Sequence, residues 1–381
     1  MFLAVFSLGA ALGPVAQGSF SRFKAEAEFA SAIGMLGLPQ ALFFYTKSGG
    51  LSTVRAAEIA KRAALVCAPF ALAYGLYNRV WLGGAASIVF AGAVTSMIWQ
   101  GNLRGVVLAG SSVRQFNYVM ALPQLLMLVY ALAAIAASRV AMLHIGVAFT
   151  IAFGAGILLG SWALTKRPES SKCLQVFSAG IAELSMYGLA SGLTSVMATL
   201  ATLIAIRTVQ SRCGTAELGI YTFSAMLAQG VLMPLNYSMP LLFKRSMESR
   251  SRAPQWRVGL LVSLCFVGAG LLVYMVARKS PVALWMGAYQ RVPAVLWILL
   301  LGAGADAFQK ILAVDANARG RPWLPVVAES GRLVVLVGGV ALLGASDVTD
   351  IAWVVSVAAF AGAVMLLMSF VASQSLVRPT R

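Results

Sequence analysis

Continuous apolar runs of about twenty residues recur along this chain, and they decide what it can fold into. Two of the clearest, 184–206 and 220–243, flank the short turn Gly214-Thr215-Ala216-Glu217-Leu218-Gly219. At about 1.5 Å per residue, a helix of that length crosses a hydrocarbon core of about 30 Å. A transmembrane strand would need only about ten residues and would alternate apolar with polar ones. These runs are longer and do not alternate, so the spans are helices, whose backbone groups all pair internally. Charged residues make up 11% of the chain and apolar ones 60%, with a mean hydropathy of +0.85. Soluble domains carry about 25% charged residues, so the expected class is an all-α integral membrane protein. The net charge of +17 then reflects basic connectors rather than a nucleic-acid surface.

The central turn has a twin near the start, Gly13-Pro14-Val15-Ala16-Gln17-Gly18. Gly13 and Gly214 are 201 residues apart, and so are Gly18 and Gly219. At the same offset Phe20 falls on Tyr221 and Pro39 falls on Pro240. The coincidences predict two helical lobes of one architecture, repeated in parallel around a central cavity. Two unrelated helix hairpins with ordinary glycine turns are the alternative. The predicted division is a six-helix lobe over 1–165, a cytoplasmic linker over 166–183 and a second six-helix lobe over 184–381. That makes about twelve spans with a short first one, because the repeat places the start of the first helix before Met1.

Pro39 and Pro240 are the candidate hinges, since proline bends a helix. Residues 47–62 form a basic connector whose later part is expected to lie along the interface, and further spans are expected over 63–77, 83–101, 116–137 and 140–164. In the second half they fall over 258–276, 292–314, 324–343 and 351–371. Lys and Arg are about twice as frequent on the connectors that share a side with both termini, which predicts cytoplasmic termini. Cys67, Cys173, Cys213 and Cys265 lie far apart in sequence, with the spacing of buried hydrophobes rather than of a metal or redox motif. His144 is the one histidine. No catalytic cluster, metal site or cofactor motif is present, and the connectors are short, so no enzyme is expected.

The run Tyr187-Gly188-Leu189-Ala190-Ser191-Gly192-Leu193, with the turn 214–219 and Ile220-Tyr221, resembles the opening of the second lobe of the oligosaccharide flippases. These form the polysaccharide-export branch of the multidrug/oligosaccharidyl-lipid/polysaccharide exporter superfamily. Leu12-Gly13-Pro14 with Gly18, the stretch 34–42 and Asn317-Ala318-Arg319-Gly320-Arg321-Pro322 resemble other landmarks of that family. The resemblance implies a two-lobed transporter in the bacterial inner membrane. It would carry polyprenyl-diphosphate-linked oligosaccharide to the periplasmic leaflet by alternating access. Its partners would be the lipid bilayer, its lipid-linked cargo, and polysaccharide polymerase and glycosyltransferases, with no nucleic acid.

A diphosphate cannot cross hydrocarbon unpaired, so such a protein needs cations inside the membrane. The candidates for diphosphate binding are Arg22, Lys24, Arg104, Arg207, Lys310 and Arg332. For the first four, a snorkelling side chain at a helix end fits equally well. Lys310 follows Asp306 by four residues and Arg332 follows Glu329 by three, so each pair shares a helix face. They are either neutralised pairs that hold two helices together, or a coupling site at which a proton or cation on Asp306 or Glu329 frees the base. Arg22–Glu26 and Lys24–Glu28 have the same four-residue spacing. The open rivals are a multidrug exporter, a peptidoglycan-precursor flippase and a membrane polysaccharide polymerase or ligase.

Overall fold

In lipid every backbone donor and acceptor must pair within the protein, and the chain answers with helices throughout. The computed structural model describes residues 2–47, 50–165, 181–236, 238, 239, 242, 255–279, 287–319, 321–344 and 347–375, and no strand occurs among them. The first helices are α1 (Phe2–Met35), α2 (Leu38–Lys47), α3 (Thr53–Tyr77), the single turn α4 (Arg79–Leu82) and α5 (Gly84–Gly110). Next come α6 (Val113–Ala136), α7 (Met142–Thr165), α8 (Ile181–Cys213) and α9 (Thr215–Val231). The last four are α10 (Gln255–Lys279), α11 (Val292–Ala318), α12 (Trp323–Leu342) and α13 (Val348–Ser375). Among the described residues, eight helices are long and apolar enough to cross a membrane, or nine if the bent pair Phe6–Met35 and Leu38–Lys47 counts as one span.

Two boundaries differ from expectation for local reasons. Residues 53–62 are the first turns of α3 rather than an interfacial connector, because the Ser52 side chain caps them by accepting from the Arg55 amide at 3.3 Å. Helix α5 runs on past Gly101 to Gly110, which carries Arg104 into the helix body.

The chain divides into two compact units, one holding Leu3–Leu12 and Ser19–Thr199 and the other Gly13–Gly18 and Leu200–Arg381. The division falls inside α8, and most of the expected linker, 166–180, lies outside the described residues. In the first unit α5 is central, packed against α2, α3 and α7, with α6 on α7. In the second, α11 takes the same place against α9, α10 and α13, with α12 on α13. Start to start, α3 and α10 are 202 residues apart, and α5 and α11 are 208 apart. The repeat therefore extends through both halves.

The twin turns are twins in backbone too. Gly13 has φ 81° and ψ −179°, and Gly214 has φ 91° and ψ 176°. That region of backbone space is open essentially to glycine alone, and each break starts a new helical segment. Within the second unit the turns also meet. A Cβ on Gly18 would lie 2.5 Å from the Thr215 carbonyl oxygen, and one on Gly219 would overlap the Pro14 carbonyl. Pro14 and Thr215 are themselves 201 residues apart, so the contact is reciprocal.

The bend expected at Pro39 lies slightly earlier. The 47° bend between α1 and α2 is made by Leu36 (φ 37°) and Gly37 (φ 72°). Pro39 sits in the first turn of α2, where its missing N–H costs nothing. Pro240 lies outside the described residues.

Candidate functional site

Helices α11 and α12 are apolar enough to span, yet each carries both an acid and a base. Helix α11 opens with proline at its first positions, and α12 follows Pro322, so both starts suit residues that lack an N–H. Residues of four helices then meet around Asp306, Glu329 and Arg332 in the second unit. Arg332 Nη1 of α12 reaches Asp306 Oδ1 of α11 at 2.8 Å and lies 3.9 Å from Glu329 Oε2 on its own helix. Gln309 of α11 donates from Nε2 to Glu329 Oε1 at 2.7 Å. These groups are nearly enclosed: the side chains of Arg332, Asp306 and Glu329 are 15%, 25% and 9% exposed. Tyr221 of α9 is buried within electrostatic range of both Arg332 and Asp306. Gly362 lets α13 close over the cluster, since a Cβ there would come within 2.9 Å of Gln309 Oε1 and 3.2 Å of Arg332 Cβ.

The expected pairing of Asp306 with Lys310 is replaced by a pairing between helices. Asp306 takes the longer, forked arginine from α12, and Lys310 Nζ instead donates to Asn236 Oδ1 at 3.0 Å. Lys310 is half-buried and its partner is a neutral amide. Arg332, by contrast, is met by two carboxylates. Asn236 and Gln309 were not singled out in the sequence, and Tyr221 only as the repeat partner of Phe20 and in the family resemblance, because neutral polar residues in apolar runs give no charge signal.

The first unit arranges its candidates differently. Lys24 Nζ pairs with Glu28 at 2.7 Å along one helix, as the spacing predicted. Arg22 lies over the Trp81 ring, 4.2 Å from its centroid, a cation–π contact. Glu26 is fully buried and accepts the Tyr74 hydroxyl at 2.6 Å. Arg104 in α5 is half-buried in the body of its helix, and so is Arg207 of α8, which falls in the second unit. The structure thus brings Asp306, Glu329 and Arg332 together, with Lys310 one turn away on α11, while Arg104 lies on α5 and Arg207 on α8. His144 is exposed at the start of α7. Among the described residues, no three His, Cys, Asp or Glu gather as metal ligands would.

No protein-family model matches the chain, and no curated protein matches it in sequence. Solved structures do match. The inward-facing conformation of a multidrug resistance MATE family transporter of the MOP superfamily superposes with a TM-score of 0.73 at 14% identity, covering 100% of this chain and 95% of that one. A Vibrio cholerae MATE transporter, VcmN, superposes with a TM-score of 0.69 at 17% identity, over 99% of this chain and 95% of its own. A MOP superfamily transporter from Pyrococcus furiosus, described as having a binding pocket of reversed polarity, gives 0.68 at 14% identity over 99% and 92%. This chain is a multi-pass, all-helical membrane protein with the two-lobed fold of the MATE transporters.

Proposed function

We propose that this protein is a transporter working by alternating access, and that its cargo is a polyprenyl-diphosphate-linked oligosaccharide. It carries that cargo from the cytoplasmic to the periplasmic leaflet of the bacterial inner membrane, for surface polysaccharide assembly, with both termini in the cytoplasm. Polysaccharide polymerase and glycosyltransferases act beside it, and the protein itself is not an enzyme. The transporter part is supported by solved relatives in fold that include both inward-facing and outward-facing conformations.

One observation carries the choice of an anionic cargo: Lys310, half-buried on the helix that bears Asp306, directs its ammonium to a neutral amide, Asn236 Oδ1, rather than to a carboxylate. Two carboxylates approach Arg332, at 2.8 and 3.9 Å, whereas the hydrogen bond of Lys310 goes to the neutral Asn236. A diphosphate entering the protein loses its hydration, and a base with a neutral partner is the group that replaces it at least cost. Asp306 and Glu329 are the titratable half of the device. A proton or small cation on either weakens the hold on Arg332, which then joins Lys310 as a second phosphate ligand. The description of the Pyrococcus furiosus transporter is consistent with a pocket whose polarity differs between proteins of this fold.

The test is complementation of a flippase-null strain, with membrane abundance measured in parallel. Lys310→Ala should leave the protein in the membrane and cut surface polysaccharide about tenfold, the effect of losing one charge-assisted contact of about 1.5–3 kcal/mol. Full complementation by Lys310→Ala at normal abundance would refute the cargo assignment. A multidrug exporter is the second reading, favoured by the multidrug transporter that shares the fold. It predicts resistance to cationic drugs that is lost in Asp306→Asn and kept in Lys310→Ala.

A further inference from the structure

One end of the first unit is strongly basic, and the diphosphate site of the second unit makes no use of it. The ends of five helices meet there. A Cβ on Gly110, the last residue of α5, would lie 2.7 Å from Thr53 Cγ2 at the start of α3 and 3.7 Å from Leu164 Cδ2 at the end of α7. Leu42 of α2, Ala56 and Ala60 of α3 and Val106 of α5 form a core cluster against Leu164. Phe116 of α6 belongs to a second cluster that also meets Leu164. Around this core Lys47, Arg55, Lys61, Arg62 and Arg114 are all exposed. Glu58 is the only acid between residues 29 and 165, and Arg62 holds it at 2.9 Å. Arg114 donates within its own helix, to the Tyr118 hydroxyl at 2.9 Å. Arg55 and Lys61 make no ion pair among the described residues.

Helix α3 continues this basic patch into an apolar face. Lys61, Leu65, Leu72 and Leu76 share one stripe at helical spacing, and the three leucines are exposed. Arg55 and Arg62, seven residues apart, head a neighbouring stripe that runs on through the exposed Val66. At 1.5 Å per residue, Lys61 stands about 6 Å along the axis from Leu65. Exposed leucines on a membrane-spanning helix meet lipid chains, so a cation one turn before them lies at the level of the lipid phosphates. The opposite end of the unit is arranged differently. Its exposed cations, Arg79 on α4 and Arg139 between α6 and α7, stand on separate elements, and Lys24 is paired with Glu28.

We propose that this face of α3 is a docking site for an anionic phospholipid of the surrounding bilayer. Arg55 and Lys61 hold its headgroup phosphate, and its chains lie along Leu65, Leu72 and Leu76. Charge decides the class of lipid. A zwitterionic lipid balances its phosphate with its own ammonium, so it offers little to cations that lack an ion-pair partner. An anionic headgroup brings net negative charge, and each basic residue close to it strengthens binding severalfold. Water would satisfy the two cations but not the leucines one turn away, and both occur on one continuous face. Such a lipid binds whatever the transported cargo is.

Native mass spectrometry of the full-length protein tests this, by titration with dioleoyl phosphatidylglycerol and, separately, with dioleoyl phosphatidylcholine. Wild-type protein should bind phosphatidylglycerol the more tightly. Arg55→Gln combined with Lys61→Gln should weaken phosphatidylglycerol binding about tenfold and leave phosphatidylcholine binding unchanged. Arg79→Gln combined with Arg139→Gln removes the same charge from the other end and should change neither. If the first double variant does not accumulate, Lys61→Gln and the charge-keeping Lys61→Arg decide. Phosphatidylglycerol binding should fall about threefold in Lys61→Gln and persist in Lys61→Arg, and an unmoved affinity in Lys61→Gln overturns the proposal. Equal affinity of wild-type protein for the two lipids, or equal losses in the two double variants, would overturn it as well. So would displacement of bound phosphatidylglycerol by an equimolar polyprenyl diphosphate, which would give the face to the cargo instead.

Discussion

The two units share their backbone plan and differ in where they bury charge. Each half of the sequence starts a helical segment at a glycine break of nearly the same geometry, Gly13 and Gly214, and each unit packs three helices on a central one. Yet at the 201-residue register Arg22, Lys24, Glu26 and Glu28 of α1 fall on Phe223, Ala225, Leu227 and Gln229 of α9. At the 208-residue register of the central helices, Asp306 and Lys310 of α11 fall on Ile98 and Asn102 of α5. Backbone geometry has been kept through the repeat, whereas charge has been placed on α1 in one unit and on α11 and α12 in the other. The first unit settles its charges along one helix and on aromatic faces. The second pairs several of them between elements, Arg332 with Asp306 and Arg291 with Glu217 and Asp347.

Copying the charge of one unit into the other should break the comparison most sharply. Asn102 is fully buried, and neither atom of its side-chain amide has a hydrogen-bond partner among the described residues. Asn102→Lys would imitate Lys310 but bury an ammonium without its Asn236, at a cost of several kcal/mol. Membrane abundance measured by blotting should fall to background. Next in size is Arg332→Ala, which strands Asp306 and Glu329 and should cost about 3–5 kcal/mol. Adding Asp306→Asn and Glu329→Gln should recover most of the lost abundance.

The shared backbone has its own test. Gly13→Ala and Gly214→Ala meet no atom within 4 Å, so each cost is purely conformational, about 1–3 kcal/mol. Thermal unfolding in detergent should show similar losses for the two, and a large inequality would mean the breaks are not equivalent. The smallest effect belongs to Lys24→Gln. Its pair with Glu28 is 28% and 38% exposed, and its loss should cost no more than about 1 kcal/mol.

The repeat was legible because glycine at a forbidden backbone position leaves a mark in the sequence, and because apolar runs record the spans directly. The start of α3 was missed because one capping serine, Ser52, outweighed the basic composition that follows it. The hinge was placed on Pro39, since Leu36 carries its positive φ with no compositional sign of it. At the site, spacing identified Asp306, Lys310, Glu329 and Arg332 but paired Asp306 with the wrong base. Helical spacing describes one helix, and a guanidinium fork is long enough to reach the next. Glu26 was counted only as a neighbour of Arg22, because its hydroxyl partner Tyr74 lies 48 residues away.

The central claim is that Lys310 supplies positive charge to an anionic lipid-linked cargo while Arg332 is held by its carboxylates. Flipping by purified protein in proteoliposomes tests it most directly, using a polyprenyl-diphosphate-linked oligosaccharide and a neutral glycolipid with the same sugar. Wild-type protein should move the diphosphate lipid and not the neutral one, and Lys310→Gln should slow that movement about tenfold. Equal rates for the two lipids, or an unchanged rate in Lys310→Gln, would contradict the account.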